Sequence, residues 1–247
     1  MAERLDKYLV TSGLVSSRTL AAKLIAAGDV HVNGRALRKA SYMVQPEDTL
    51  RVLQSELTEY VSRAGHKLAG ALDTFTDISV EGKRCLDAGA STGGFTDVLL
   101  RRGAAQVCAV DVGHDQLVDS IREDERVQVY EGMNVRYMSP DDIGGQVDLT
   151  VSDLSFISLT LVMKALAEAT APGGDLVLMV KPQFEVGKHQ INRGGVVQDE
   201  AVQQQAVDRV LMSAMEHGLQ VRGTVPSPLP GQDGNREYFL WCVKPID

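Results

Sequence analysis

Four polar residues stand where an α/β chain could do chemistry: Lys67, Asp153, Lys181 and Glu237. Lys67 lies in a helical pattern over residues 62–76, where Ala64, Leu68, Ala71, Leu72 and Phe75 form one apolar stripe. Asp153 ends an apolar run in Val151-Ser-Asp-Leu-Ser-Phe156, and Lys181 ends another in Val177-Leu-Met-Val-Lys-Pro-Gln-Phe184. Glu237 opens the last such run, in Gly234-Asn-Arg-Glu-Tyr-Phe239. Strand ends of an open α/β sheet face its ligand crevice, so Asp153 and Lys181 are expected beside a reacting group. Any one of the four, taken singly, reads as a solvated charge or an ion pair; only the set suggests catalysis. Lysine can remove a proton from a weak nucleophile such as a hydroxyl where burial and neighbouring charge favour its neutral form. Carboxylates orient the lysines and balance their charge. The expectation is Lys181 as base, oriented by Asp153 and Glu237, with Lys67 positioning the substrate. Coupled groups share their titration, so the choice between the two lysines stays open.

A second constellation is Cys85-Leu-Asp-Ala-Gly-Ala-Ser-Thr-Gly-Gly-Phe95, a short apolar strand, a glycine-rich turn and the start of a helix at Thr96. Glycines let backbone approach a ligand, and a helix N-terminus offers free N–H groups. A dinucleotide-binding G-x-G-x-x-G needs glycine at its middle position, where this chain, read as Gly89-x-Ser91-x-x-Gly94, has Ser91. Asp87 just before the turn would repel a pyrophosphate but suits a cationic methionine end. Asp111 ends the next strand, Val107-Cys-Ala-Val-Asp111, about twenty residues on, where a ribose diol is usually held. S-adenosyl-L-methionine is therefore the expected cofactor, near Asp87, Gly89, Ser91, Gly93, Gly94, Phe95, Asp111 and Asp153.

The elements that must position these residues follow from the apolar pattern. Strands are expected near 84–88, 106–111, 127–131, 147–152, 175–181, 219–225 and 236–243, with helices near 62–76, 94–102, 115–123, 157–170 and 199–217. Alternation of the two implies a mainly parallel sheet covered on both faces. The last two strands lack a helix between them and should pair antiparallel. With 247 residues and 44% apolar content, the chain can build one large domain and a small one. No run of 18 apolar residues and no secretory h-region occurs, so a cytoplasmic protein is expected. Cys85, Cys108 and Cys242 each sit in an apolar stretch without metal-ligand spacing, which predicts buried thiols and no metal site.

Residues 1–55 hold eight Lys or Arg against five Asp or Glu, a net of +3, leaving −11 for the rest of a chain whose total is −8. A basic head on an acidic body suggests that the head meets a polyanion. The head reads as a helix from Arg4 to Leu9 and a second from Arg18 to Ala27, capped by Ser16 or Ser17 and ended by Gly28. Val30-His-Val-Asn-Gly34 forms a strand closing in a tight Asn-Gly hairpin, and Thr49-Leu-Arg-Val-Leu53 a last strand. Arg4-Leu-Asp6, Ser17-Arg18, Ala22, Ile25, Gly28-Asp-Val30, Val32-Asn-Gly34 and Lys39 make this module resemble the S4 RNA-binding domain. That resemblance implies an RNA-facing surface carrying Arg4, Arg18, Lys23, Arg35, Arg38 and Lys39. The expected division is 1–53 for this α+β domain, 54–61 for a polar linker and 62–247 for the body.

The seven-stranded body resembles the Rossmann-like class I methyltransferases, and its Lys-Asp-Lys-Glu set resembles the tetrad of FtsJ-type ribose 2′-O-methyltransferases. The whole chain, from about residue 3 to 243, resembles the TlyA-type ribosomal RNA methyltransferases, often labelled hemolysins. The supporting motifs are Tyr60-Val-Ser-Arg-Ala-Gly-His-Lys67, Asp87 to Phe95, Asp153-Leu-Ser-Phe-Ile-Ser158, Lys181-Pro-Gln-Phe-Glu185 and Gly234-Asn-Arg-Glu237. The resemblance implies 2′-O-methylation of cytidine in 16S rRNA, 23S rRNA or both, within ribosomal subunits, with Lys67 near the ribose or a phosphate. It also implies that Asn134 approaches the adenine, that Arg63 and Gly65 face cofactor or RNA, and that Arg193-Gly-Gly195 belongs to a mobile substrate loop. Three other readings compete: a methyltransferase acting on a non-ribosomal substrate, a membrane-active hemolysin, and a non-catalytic ribosome-assembly binder that senses S-adenosyl-L-methionine. The absence of a membrane-length apolar run weighs against the second.

Overall fold

The computed structural model describes residues 3–15, 17–53 and 59–246, so Ser16 and residues 54–58 of the expected linker lie outside the described residues. The chain divides into two compact units, Met1–Tyr60 and Val61–Asp247.

In the first unit β1 (Glu3–Arg4) leads into α1 (Leu5–Thr11), followed by α2 (Arg18–Ala27), β2 (Val30–Val32), β3 (Arg35–Ala36), β4 (Met43–Val44) and β5 (Leu50–Val52). The Ser17 side chain caps α2 by accepting from the Leu20 N–H, and Gly28 ends the helix at φ 90°. β2 and β3 form a two-residue hairpin, Val32 opposite Arg35, in which Asn33 and Gly34 both take positive φ, 52° and 79°. That is the type I′ geometry favoured by Asn-Gly because its twist matches the strands. The pairing of β1 with β4 was not expected from the sequence: two-residue strands carry no period that a pattern can register. Leu5, Leu9, Leu24, Ile25 and Val30 form this unit's own core.

The second unit begins with α3 (Arg63–Thr74) and continues β6 (Arg84–Ala88), α4 (Gly94–Arg101), β7 (Gln106–Val110), α5 (Asp119–Arg122), β8 (Val127–Tyr130), β9 (Val147–Ser152), α6 (Met163–Ala169), β10 (Thr170–Val180), α7 (Pro182–Glu185), α8 (Glu200–Glu216), β11 (Gln220–Pro226) and β12 (Tyr238–Val243). The sheet order is β11-β12-β10-β9-β6-β7-β8. Strands β6 to β10 pair in parallel, whereas β12 runs antiparallel to both neighbours. Chain order reverses between β6 and β9, the switch point at whose carboxyl edge such sheets open a crevice. The three cysteines are free and buried; burial pushes Cys85 and Cys242 up to about 12, which keeps both as thiols.

Three elements differ from expectation. The helix expected over 115–123 shortens to α5, because the chain before it wraps Asp111: the Gly113 N–H donates to Asp111 Oδ1 at 2.7 Å, and the Val118 N–H to the Thr92 carbonyl. The helix expected over 157–170 splits into a 3₁₀ turn at Leu159–Leu161 and α6. β10 starts five residues earlier than expected, since Thr170 already pairs with Val147, ahead of a register shift through the Pro172-Gly-Gly174 stretch.

Candidate active site

The strand ends bring the polar set to one edge of the sheet. Asp153 follows β9, and its N–H donates to the Ala88 carbonyl at the end of β6, at 3.1 Å. Lys181 follows β10. Val180 lies opposite Tyr238 in the antiparallel ladder, so the next register position sets Lys181 beside Glu237. The side chains nevertheless divide into two separate pairs. Lys181 Nζ lies 2.6 Å from Asp153 Oδ1 and donates to Ser155 Oγ at 3.0 Å. Lys67 Nζ, reaching in from α3, donates to Glu237 Oε2 at 2.6 Å. Lys67, Lys181 and Glu237 are all buried, at 8%, 8% and 3% exposure, so both pairs sit in surroundings where an unmatched charge is costly. The contacts thus differ from the expected grouping: Glu237 meets Lys67, and Asp153 alone of the two acids meets Lys181.

Burial of an ammonium on α3 needs the helix close to the sheet, and glycine permits it. A Cβ on Gly94, at the start of α4, would collide with Ser62 Oγ and come within 3.0 Å of the Gly65 nitrogen. Phe95 packs on Phe239 at 6.1 Å between ring centroids, tying α4 to β12 two residues beyond Glu237. Gly231 closes over Glu237, where a Cβ would meet Oε1 at 2.7 Å.

Beside the pairs lies a cavity of ≈ 430 Å³ lined by Gly89, Ser91, Asp111, Asn134 and Asp153 among the expected residues. Gly89 takes φ 90°, and a Cβ there would come within 2.8 Å of the Asp153 carbonyl oxygen; only glycine lets the two strand ends close up. Asp111 accepts from the Ser91 N–H at Oδ2 and from the Gly113 N–H at Oδ1, at 2.8 and 2.7 Å, which fixes its carboxylate and leaves lone pairs toward the cavity for a diol. Asp87 is fully buried: Thr96 Oγ1 donates to Oδ2 at 2.7 Å, while Oδ1 has no partner among the described residues. Burial first, with Asp153 and Asp111 adding to it, raises the Asp87 carboxyl to about 7. An orphaned buried carboxylate oxygen fits a cationic group, such as the α-ammonium that S-adenosyl-L-methionine would bring. Asp87, Gly93, Gly94 and Phe95 do not line the cavity. Gly93 begins α4 at φ 99° against Leu117 and Ile121, and Gly94 and Phe95 pack inward, so these three shape the loop from behind.

Several lining residues were not singled out as site residues in the sequence, although Leu154, Phe156 and Ile157 stand in the motif Asp153-Leu-Ser-Phe-Ile-Ser158. Phe156 is 91% exposed at φ 62° and packs on Phe184 at 5.3 Å, while Leu154, Met133 and Ile157 supply apolar wall. Glu185, buried at the end of α7, accepts from Ser158 Oγ at 2.5 Å and from the Leu159 N–H at 2.8 Å. It thereby ties the segment after Asp153 to the segment after Lys181. The motif Lys181-Pro-Gln-Phe-Glu185 contained this residue, but only tertiary contact reveals its partners. Beside the Arg193 loop, buried Asn235 accepts from the Val197 N–H and donates to the Gly195 carbonyl, at 3.0 and 2.9 Å.

Arg63 donates to the Pro230 carbonyl at 3.1 Å, bracing the loop before Glu237, and Gly65 is buried against Gly94. In the first unit Arg4, Arg18, Lys23, Arg35, Arg38 and Lys39 are all exposed. Arg4 and Arg18 share the carboxylate of Asp6, while Arg38 donates to the Ala26 carbonyl at 2.7 Å. Among the described residues no helix is long and apolar enough to cross a membrane, and no group of His, Cys, Asp or Glu could hold a metal ion.

Known proteins match both units. The profile of FtsJ-like methyltransferases matches residues 60–244, and that of the S4 domain residues 3–50. The 16S/23S rRNA (cytidine-2′-O)-methyltransferase TlyA of Mycobacterium tuberculosis is 51% identical over 99% of this chain and 91% of its own length. Hemolysin A of Brachyspira hyodysenteriae is 38% identical over 97% of this chain and 99% of its own. A solved structure from Streptococcus thermophilus, provisionally described as a hemolysin, superposes with a TM-score of 0.77 at 39% identity, covering 100% of this chain and 90% of its own. With its S4 head, its switch-point cavity and its matched lysine–carboxylate pairs, the chain belongs to the TlyA family of FtsJ-like methyltransferases.

Proposed function

We propose that this protein transfers a methyl group from S-adenosyl-L-methionine to the ribose 2′-hydroxyl of cytidine in 16S rRNA, 23S rRNA or both, within cytoplasmic ribosomal subunits. The observation that carries the reading is the pair of buried ammonium–carboxylate contacts, Lys67–Glu237 and Lys181–Asp153, beside the cavity. The cofactor, when bound, supplies a methyl group activated by the positive charge of its sulfur. Asp87, Asp111 and Asn134 would hold its ammonium, ribose diol and adenine, with Gly89 and Ser91 as the backbone wall between them.

The chain's own task is to aim a weak nucleophile and remove its proton. To serve as the base Lys181 must be the neutral amine; its two N–H groups would then face Asp153 and Ser155, leaving the nitrogen lone pair for the proton of the 2′-hydroxyl. In this reading the 2′-hydroxyl proton would pass to the Lys181 nitrogen as the oxygen attacks, and general-base help of this kind contributes about 10²–10⁴-fold. Lys67, held by Glu237, would set the ribose or its neighbouring phosphate in line, a placement effect that can exceed the proton transfer in size. Arg63 and the six basic residues of the S4 unit would meet the RNA backbone.

The test is tritium transfer from labelled S-adenosyl-L-methionine to unmethylated 30S, 50S and 70S particles, with Lys181→Ala in parallel. Label on ribose that disappears in the variant is expected, and the labelled particle identifies the target. Label on no particle, from protein that binds the cofactor, overturns the ribosomal assignment.

A further inference from the structure

The S4 unit holds a buried carboxylate that its RNA-facing role does not obviously require. Asp6, in the first turn of α1, is 6% exposed. Its oxygens accept from Arg4 Nε at 3.0 Å, Arg4 Nη2 at 3.2 Å and Arg18 Nη2 at 2.8 Å. Asp6 is not needed as a cap, because the first free N–H groups of α1, on Leu5 and Asp6, donate to the Tyr42 and Ala40 carbonyls. The arginines come from different elements, β1 and the start of α2, and their side chains are 51% and 62% exposed. Both guanidinium groups thus lie at the surface yet are held at their inner edges by one carboxylate.

In electrostatic terms alone the arrangement is unfavourable for a polyanion site. Asp6 cancels one of two positive charges, and each cation lost lowers the attraction to RNA and its salt dependence. The gain is geometric. A free arginine has several rotatable bonds to order when it meets a phosphate, and that ordering opposes binding. Of five N–H donors per guanidinium, Arg4 has used two and Arg18 one on Asp6, so both keep donors for a ligand. The two arginines drive the Asp6 carboxyl down to about 2, so the link persists across the physiological range.

We infer that Asp6 is a positioning residue, which sets Arg4 and Arg18 as one two-pronged clamp for adjacent backbone phosphates of a folded RNA. The inference rests on the reading of the S4 unit as the RNA contact, and it adds a negatively charged residue to the determinants of that contact. The clamp favours a phosphate pair at fixed separation, as in a structured ribosomal helix, over a flexible single strand.

Charge offset and positioning predict opposite signs. Asp6→Asn removes one negative charge at constant shape; its amide accepts through one oxygen only and turns a donor toward the other arginine. The full-length protein, wild type, D6N, D6E, R4A and R18A, is titrated onto 30S and 50S particles and onto an unstructured poly(U) strand over a salt series. Positioning predicts that D6N weakens binding to the particle by about tenfold, the scale of one lost charge-assisted hydrogen bond, while poly(U) binding holds or tightens. D6E keeps the charge and lengthens the arm, and it too should lose particle affinity. The inference is overturned if D6N tightens particle and poly(U) together, or if D6E binds the particle like wild type. Should D6N fail to fold, D6E decides alone. If R4A and R18A bind the particle like wild type, the RNA reading of this face falls and the clamp with it; an effect of R4A and R18A without one from D6E removes only the clamp.

Discussion

The buried Lys67–Glu237 pair predicts a pattern that no solvated ion pair would give. Glu237→Gln keeps shape and volume but leaves the Lys67 ammonium facing a neutral amide where both side chains are nearly inaccessible, at 10% and 3% exposure. Stranding one partner of such a pair costs about 3–5 kcal/mol. For a folding unit spanning Val61–Asp247, each kcal/mol corresponds to roughly 2–4 °C in Tm. The single variant should therefore melt roughly 6–20 °C below wild type. Replacing both partners with apolar residues, as in Lys67→Met with Glu237→Leu, removes the unmatched charge. The double variant should return to within a few degrees of wild type, because exchanging a whole buried pair for apolar groups is often neutral or stabilising. Methyl transfer should be lost in both proteins. The chain has one tryptophan, Trp241 on β12, which packs on Phe75 and donates to Asp175 Oδ1 at 2.9 Å, so its fluorescence reports this unit alone. Melts are recorded without cofactor, since ligand binding would add its own stabilisation. An E237Q midpoint within about 2 °C of wild type, less than a single kcal/mol would give, would refute the buried-pair account. So would a double variant as unstable as the two single losses added together.

Asp87 predicts a pH signature. A carboxyl that titrates at about 7 when folded, against 3.8 ordinarily, holds its proton more tightly folded than unfolded. It costs nothing below about pH 4, and a penalty grows as pH rises toward 7, reaching on the order of 4 kcal/mol above it. Asp87→Asn should therefore raise the Tm of the unliganded protein at pH 8 but not at pH 4, while weakening S-adenosylhomocysteine binding in calorimetry; equal Tm gains at both pH values would contradict the assignment. Glu185→Ala leaves the Leu159 N–H and Ser158 hydroxyl without their acceptor and frees the segment that carries Asp153 and Ser155. Turnover should fall by about 10²-fold, with cofactor affinity changed far less and partial rescue by Glu185→Gln. A loss confined to KM would place Glu185 in binding instead.

How much of this was legible in the chain depends on which link fixed each feature. Strand and helix positions followed local pattern, and the Asn33-Gly34 hairpin followed from backbone sterics that act within two residues. Asp87, Asp111 and Asp153 were readable because parallel strands all end at one edge, so being last in an apolar run already assigns a place. Features set by long-range contact were not readable in this way. The shortened α5 reflects a loop held by the Asp111 carboxylate, which competes with the helical pattern of 115–123. Gly94 looked like part of a cofactor cradle, and the close approach of α3 to it could not be read from the sequence.

The division of the tetrad shows the limit most sharply. Ladder register puts Glu237 next to Lys181 along the backbone, and a sequence argument that stops at strand ends therefore joins them. Yet Lys181 turns toward β9, where Asp153 and Ser155 receive it, while Glu237 meets the lysine of a helix 170 residues earlier in the chain. Two ammonium groups are thereby held by separate carboxylates at one sheet edge, so each can be positioned without the other. In the proposed reading one lysine would address the reacting hydroxyl and the other the substrate's frame. The arrangement also means that exchanging the two carboxylates between the lysines would require a shift of α3 against the sheet, which the close contact at Gly94 resists.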